Sequence, residues 1–183
     1  CLADGSSHSQ SASSHSNRAV IVHGHRARAE VQIVSAGEDE VIKTKKNFPE
    51  LTEFQIPENI CDQRKLTSPY LKELACSGNN ITVRSIFLQG VLLSPEIQVN
   101  KFFRRWDTVF LDFNTWVGRS GVSALEKCVA HVRSFENISC IIVGVDNMEQ
   151  ICEVVSVVNH KPARAPSFTS HDIETLINPS RWI

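Results

Sequence analysis

Ile138-Ser-Cys-Ile-Ile-Val143, followed at once by Gly144-Val-Asp-Asn-Met-Glu-Gln150, is the stretch whose reading decides the fold. Its first six residues are nearly all apolar and are bounded by Asn137 and Gly144, as in a strand buried on both faces of a parallel sheet. Asp146 or Asn147 can cap a helix directly after the turn. Helical spacing then predicts Met148, Ile151, Cys152, Val155 and Val158 on the apolar side of that helix.

The same alternation continues upstream. Residues 31–35 read as a strand, 38–47 as a helix, and 51–56 as a strand closed by Pro57. Residues 66–76 read as a helix ended by Gly78, and 81–87 as a further strand. A helical region is expected over 95–116. Ser123 and Glu126 form a capping box that opens a helix with Leu125, Val129 and Val132 on one face. Strand and helix repeated four times predict an α/β fold, about four parallel strands with flanking helices.

The chain has 183 residues, 42% of them hydrophobic and 21% charged, a globular balance. Nineteen Lys and Arg stand against 20 Asp and Glu, a formal net charge of −1, which argues against a nucleic-acid or anionic-membrane surface. No run approaches the about eighteen apolar residues of a membrane span. Residues 1–18 are rich in Ser, His, Ala and Gly without apolar periodicity and are expected to be a disordered arm. Residues 18–25, RAVIVHGH, contain a short apolar run compatible with a strand. His23 and His25 form a His-x-His pair with no acidic or Cys partner nearby, so no metal site is assigned. We divide the chain into a lead, 1–30, and a folded part, 31–183.

The six cysteines show no CxxC spacing, and Cys128, Cys140 and Cys152 sit among apolar residues as small core side chains. The opening residues lack the basic start and hydrophobic stretch of a secretory signal, so a reducing cytoplasmic setting is expected. The sequons at Asn80 and Asn137 are then expected to stay unmodified.

In parallel α/β folds ligands bind at the carboxyl ends of the strands. Candidate positions are Ser35, Gln55 with Asn59, Arg84 to Gly90, and Gly144 to Gln150. Gly144 before a helix start lets the backbone approach a phosphate near free N–H groups and a positive dipole end. On its own a glycine after a strand is more often a turn residue, and Gln89-Gly90 carries the same two readings.

Four passages, QIPENICDQR at 55–64, VRSIFLQGVLL at 83–93, IIVGVDNMEQ at 141–150 and the closing INPSRW, occur in an order and spacing that resemble the C-terminal half of the aldo/keto reductases. The nearest likeness is to the bacterial branch found beside surface-sugar genes. The resemblance implies a partial (β/α)8 barrel, strands five to eight with their helices, binding NADPH or NADH. It implies that Ser35 and Gln55 hold the nicotinamide carboxamide, and that Ser85, Phe87, Gln89 and Gly90 belong to the loop over the pyrophosphate. Gly144, Gln150 and Glu153 would hold the adenosine end. Arg84 stands where many members stack an aromatic ring on the nicotinamide, although the branch most resembled tends to carry Arg. Asp146 and Asn147 stand where NADPH users place a Lys or Arg, and a carboxylate there repels a ribose phosphate and accepts ribose hydroxyls.

The family's catalytic Asp, Tyr, Lys and His come from the first half of the barrel, so no catalytic residue is assigned in this chain. Tyr70, the one tyrosine, follows Pro69 at a helix start and reads as a packing residue. The expected function is the cofactor-binding half of a reductase that acts on a small carbonyl substrate. The alternative is an inactive half-barrel serving as a binding or assembly module. Two open edges and an apolar inner face would favour self-association, or pairing with a first half-barrel.

Overall fold

Alternating burial along three short strands organises the structure, a computed structural model that describes residues 19–23, 33–34, 38–168 and 172–182, the first two segments by backbone alone. In order along the chain lie β1 (Ala19–His23), β2 (Ile33–Val34), α1 (Glu38–Asn47), β3 (Glu53–Pro57), α2 (Pro69–Cys76) and β4 (Asn80–Arg84). They are followed by α3 (Pro95–Gln98), α4 (Asp107–Ser120), α5 (Ala124–Arg133), β5 (Cys140–Gly144), α6 (Met148–Val157) and α7 (Ile173–Leu176). The sheet order is β1-β5-β4-β3-β2, every pairing is parallel, and the sheet is not closed. The run at 19–23, compatible with a strand in sequence, pairs residue for residue with β5, Ala19 opposite Cys140 and His23 opposite Gly144.

Phe54 and Ile56 of β3, Ile81 and Val83 of β4, and Ile141 and Val143 of β5 point to one face. They form a single core with Val41 of α1, Leu71 and Leu74 of α2, Val129 and Val132 of α5, and Val154 and Val157 of α6. These helices therefore cover the same face, the outcome of successive parallel crossovers wound in one direction. The opposite face carries Gln55, Thr82, Arg84, Cys140 and Ile142, and no described helix packs on it. An apolar inner face was expected; the face is mixed, with a row of Gln55, Thr82 and Cys140 across the three strands.

A second core lies outside the first, built on Phe103, Trp106, Phe110, Phe113, Phe168 and Leu176. Phe103 meets Trp182 edge to face at 5.0 Å between ring centroids. The indole N–H groups are satisfied by backbone, Trp106 donating to the Asp172 carbonyl at 3.0 Å and Trp182 to the Thr175 carbonyl at 3.1 Å. The closing residues are thus tied to the helical layer.

Several sequence expectations need correction. The strand expected over 81–87 ends at Arg84, because Ser85 turns the chain at φ 61°. The helix expected over 66–76 starts at Pro69, after Ser68 caps it by accepting from the Leu71 N–H at 3.2 Å. The helical region at 95–116 is broken, since the Asn100 side chain accepts from the Phe102 N–H at 3.0 Å and competes with the helix. Ser123 does cap α5, but Glu126 contacts His160 at 3.0 Å instead of closing the box. On α6 the buried residues are Val154 and Val157, whereas Met148 is 69% and Val155 55% exposed. Apolar residues occupy both sides of that helix, so spacing alone offers two stripes. Among the cysteines expected in the core, Cys128 is buried, Cys140 half-buried and Cys152 exposed. Tyr70 packs against the first core, as its sequence context predicted.

Candidate functional site

The carboxyl ends of β4 and β5 are neighbours, so the loops that leave them share one space. There a cavity of about 780 Å³ is lined by Arg84, Ser85, Phe87, Gln89, Gly90, Gly144, Gln150 and Glu153, all named from the sequence. Asp146 lines it too, and Ser94, Ile97 and Leu125 complete a wall that sequence reasoning missed. Those three lie outside any strand end, and only the packing of α3 and α5 beside the loop brings them in.

The loop from Ser85 to Gly90 is strained. Ser85, Leu88 and Gln89 hold φ values of 61°, 49° and 54°, a conformation that costs side-chain-bearing residues energy and clusters at functional sites. Gly90 has φ 86° and suits its place. Ile86 and Leu88 are buried beneath the loop and anchor it. On the other wall, Asn147 caps α6 by accepting from the Gln150 N–H at 3.0 Å, and Gln150 accepts from the Asp146 N–H at 2.8 Å. Gln150 thus shapes the turn through its own oxygen. A Cβ added at Gly144 would meet nothing within 4 Å, so the bare backbone there faces open space.

Gln55 stands on the uncovered sheet face, and neither this cavity nor the one beside it is lined by that residue. Ser35 lies outside the described residues, as do His25 and the arm at 1–18. Among the described residues no group of His, Cys, Asp and Glu is placed to hold a metal ion.

A second cavity of about 620 Å³ adjoins the first and shares Arg84, Ser85 and Gln89 with it. Its floor is an ion cluster that the sequence reading did not single out. Asp62, almost fully buried, receives Lys65 at 2.7 Å and Arg64 at 2.8 Å, and Arg64 also contacts Glu174. Burial works to raise the Asp62 pKa, but the Arg64 hydrogen bond and the Lys65 charge outweigh it and hold the carboxyl below its ordinary range. Next to it Glu58 is fully buried and makes no hydrogen bond of ordinary geometry. Burial first, and then the Asp62 charge, push its pKa well above the ordinary carboxyl range. Cys61 is pushed up to about 12 by burial and is an inert thiol.

Arg84 is the hinge between the two cavities. It is the last residue of β4, half-buried, with one Nη donating to Ser85 Oγ at 3.3 Å. Its Nε is shielded and without a partner, and burial lowers its pKa.

The chain matches no family model and no curated protein sequence. Among the described residues no helix is long and apolar enough to cross a membrane. The fold and site therefore define a class only: a mixed α/β protein with a parallel sheet, flanking helices and a strand-end cavity.

Proposed function

We propose that this chain is the dinucleotide-binding half of an NAD(P)-dependent oxidoreductase of the aldo/keto reductase type, acting on a small carbonyl substrate. In this reading the sheet is part of a (β/α)8 barrel, the uncovered face is its lumen, and the half-barrel of residues 31–183 is joined by β1 from the lead. One observation carries the proposal: the glycine-bearing loop after β4 and the glycine before α6 converge on a single cavity at adjacent strand ends.

The residues present fit such a cofactor. Gly144 and Gly90 leave room for a diphosphate against bare backbone, and the positive end of α6 favours its charge. Asp146 and Glu153, on the same cavity, suit ribose hydroxyls and oppose an additional phosphate, which favours NADH over NADPH. When bound, the nicotinamide supplies hydride transfer, and the protein's part is to orient it and limit its access to water. The strained loop holds Phe87 and Gln89 over the cavity for that purpose. The aldo/keto reductase resemblance assigns proton donation to residues beyond this chain, so turnover by the chain alone is not expected. A cytoplasmic setting belongs to the same reading.

NADH titration, followed by nucleotide fluorescence, tests this proposal. Gly144→Ala adds a Cβ that meets no protein atom within 4 Å, so it is expected to weaken NADH binding at least about tenfold while leaving the unfolding transition in place. Equal affinity in the variant and the unaltered chain would end the assignment of this cavity.

The uncovered face and the two-residue edge strand β2 support the second reading, an assembly module that pairs with another half-barrel or with itself. Sedimentation at micromolar concentration decides it: association is expected, and a monomer that binds no NADH opposes both readings.

A further inference from the structure

Arg84 carries an unmet demand on the wall that the two cavities share. Its Nε is fully shielded with no hydrogen-bond partner, and no carboxylate among the described residues pairs with its guanidinium. The guanidinium is half-buried, so it is the shielded Nε that is withheld from water, and a donor left in that state gains most from an acceptor that a ligand supplies. Alternation along β4 sends Arg84 to the uncovered face, opposite to Ile81 and Val83, at the carboxyl end where substrates bind. Ser85, fixed in its left-handed conformation, accepts from one Nη and so orients the planar group.

The surroundings restrict what that ligand can be. Asp62 is compensated by Arg64 and Lys65, Glu174 is in contact with Arg64, and Glu38 accepts from Ser68 Oγ at 2.5 Å. Asp39 on one side and Asp146 and Glu153 on the other keep both cavities acidic. These charges leave Arg84 as the place for a single negative charge, and they repel a terminal phosphate dianion more than the diphosphate of a dinucleotide, whose two phosphates carry one charge each. Arginine's fork matches a carboxylate in a bidentate fashion. Arg84 lies on the wall that both cavities share, so an anion bound there also lies beside the space assigned to the dinucleotide.

We infer that Arg84 binds the carboxylate of the substrate, which is a small oxo acid. This substrate class rests on the reductase reading; the carboxylate site itself does not. The test uses the full chain and ligand-observed NMR with pyruvate, its uncharged amide and inorganic phosphate, with NADH binding by the same preparation measured in parallel. Pyruvate is expected to bind, the amide at least about tenfold more weakly, and phosphate more weakly than pyruvate. Arg84→Gln is expected to weaken pyruvate roughly tenfold to a hundredfold, and Arg84→Lys, which keeps the charge without the fork, by less. If Arg84→Gln fails to fold, the Lys variant and the acid-to-amide ratio of the unaltered chain decide. Equal binding of acid and amide, no binding of pyruvate, an unaffected Gln variant, or phosphate binding as tightly as pyruvate each overturns the inference. Pyruvate binding through Arg84 without NADH binding removes the reductase reading and leaves the carboxylate site standing. NADH binding without pyruvate binding does the reverse.

Discussion

The two faces of the sheet differ in composition and in what covers them. On the covered face Phe54, Ile56, Ile81, Val83, Ile141 and Val143 are all apolar and nearly inaccessible, and four helices pack against them. On the other face Gln55, Thr82, Arg84, Cys140 and Ile142 mix polar and apolar side chains, and the cavities open at its carboxyl end. An alternating strand gives each face every second residue, so a protein can keep one set for stability and release the other for chemistry. Arg84, half-buried and without a carboxylate partner among the described residues, belongs to the second set.

The largest expected effect tests that division directly. Phe54→Ala should cost about 3–5 kcal/mol in urea unfolding, the usual cost of removing a buried aromatic ring. Ile142→Ala, half-buried on the other face, should cost about 1 kcal/mol or less. Similar costs for the two would mean that the second face is packed in solution, by a second copy or another body.

Acid sensitivity gives a smaller effect, located in the helical layer. His131 is fully buried on α5, accepts from the Ala165 N–H at 2.9 Å through Nδ1, and has no partner for Nε2. Burial, with the Arg164 charge, lowers its pKa to about 4. The unfolded chain takes up this proton near its ordinary value while the folded chain resists it, so stability present above about pH 6.5 is lost as pH falls toward 4. The loss over that range is at most roughly 2–3 kcal/mol. Melting curves from pH 7 to 4.5 should show the decline, and His131→Gln should flatten it; an unchanged slope would place acid sensitivity elsewhere.

Glu58 has the opposite sign and a smaller expected effect. Its folded pKa is raised, so above 4.5 the unfolded chain ionises while the folded chain resists ionisation, and stability falls as pH rises. Glu58→Gln keeps the shape and removes the proton, so it should raise the melting temperature more at pH 8 than at pH 4. A variant that destabilises equally at both would show that folding does not shift the carboxyl's pKa, and one that destabilises more at pH 8 would show that it is ionised and paired. The contrast between His131 and Glu58 thus separates the outer layer from the strand end beside the cavity.

Much of this architecture was legible in the residues. The apolar run before Gly144, the caps at Ser123 and Asn147 and the alternation of periods each depend on neighbours within a few positions, and the corresponding elements formed. Where two local solutions competed, as on α6 with apolar residues on both sides, only the position of the sheet chose between Val154 and Val155. The break after Gln98 turned on one side chain, Asn100, bonding to nearby backbone.

The sequence by itself determined the kinds of element, their order and the strand-end glycines, because propensity, capping and periodicity act over a few residues. Tertiary structure alone decided that Arg84 joins two cavities, that Asp62, Arg64, Lys65 and Glu174 form one cluster, and that one sheet face is mixed and lacks a described helix. Those facts depend on which distant segments meet and how much water their meeting excludes, and that exclusion sets the cost of every buried charge.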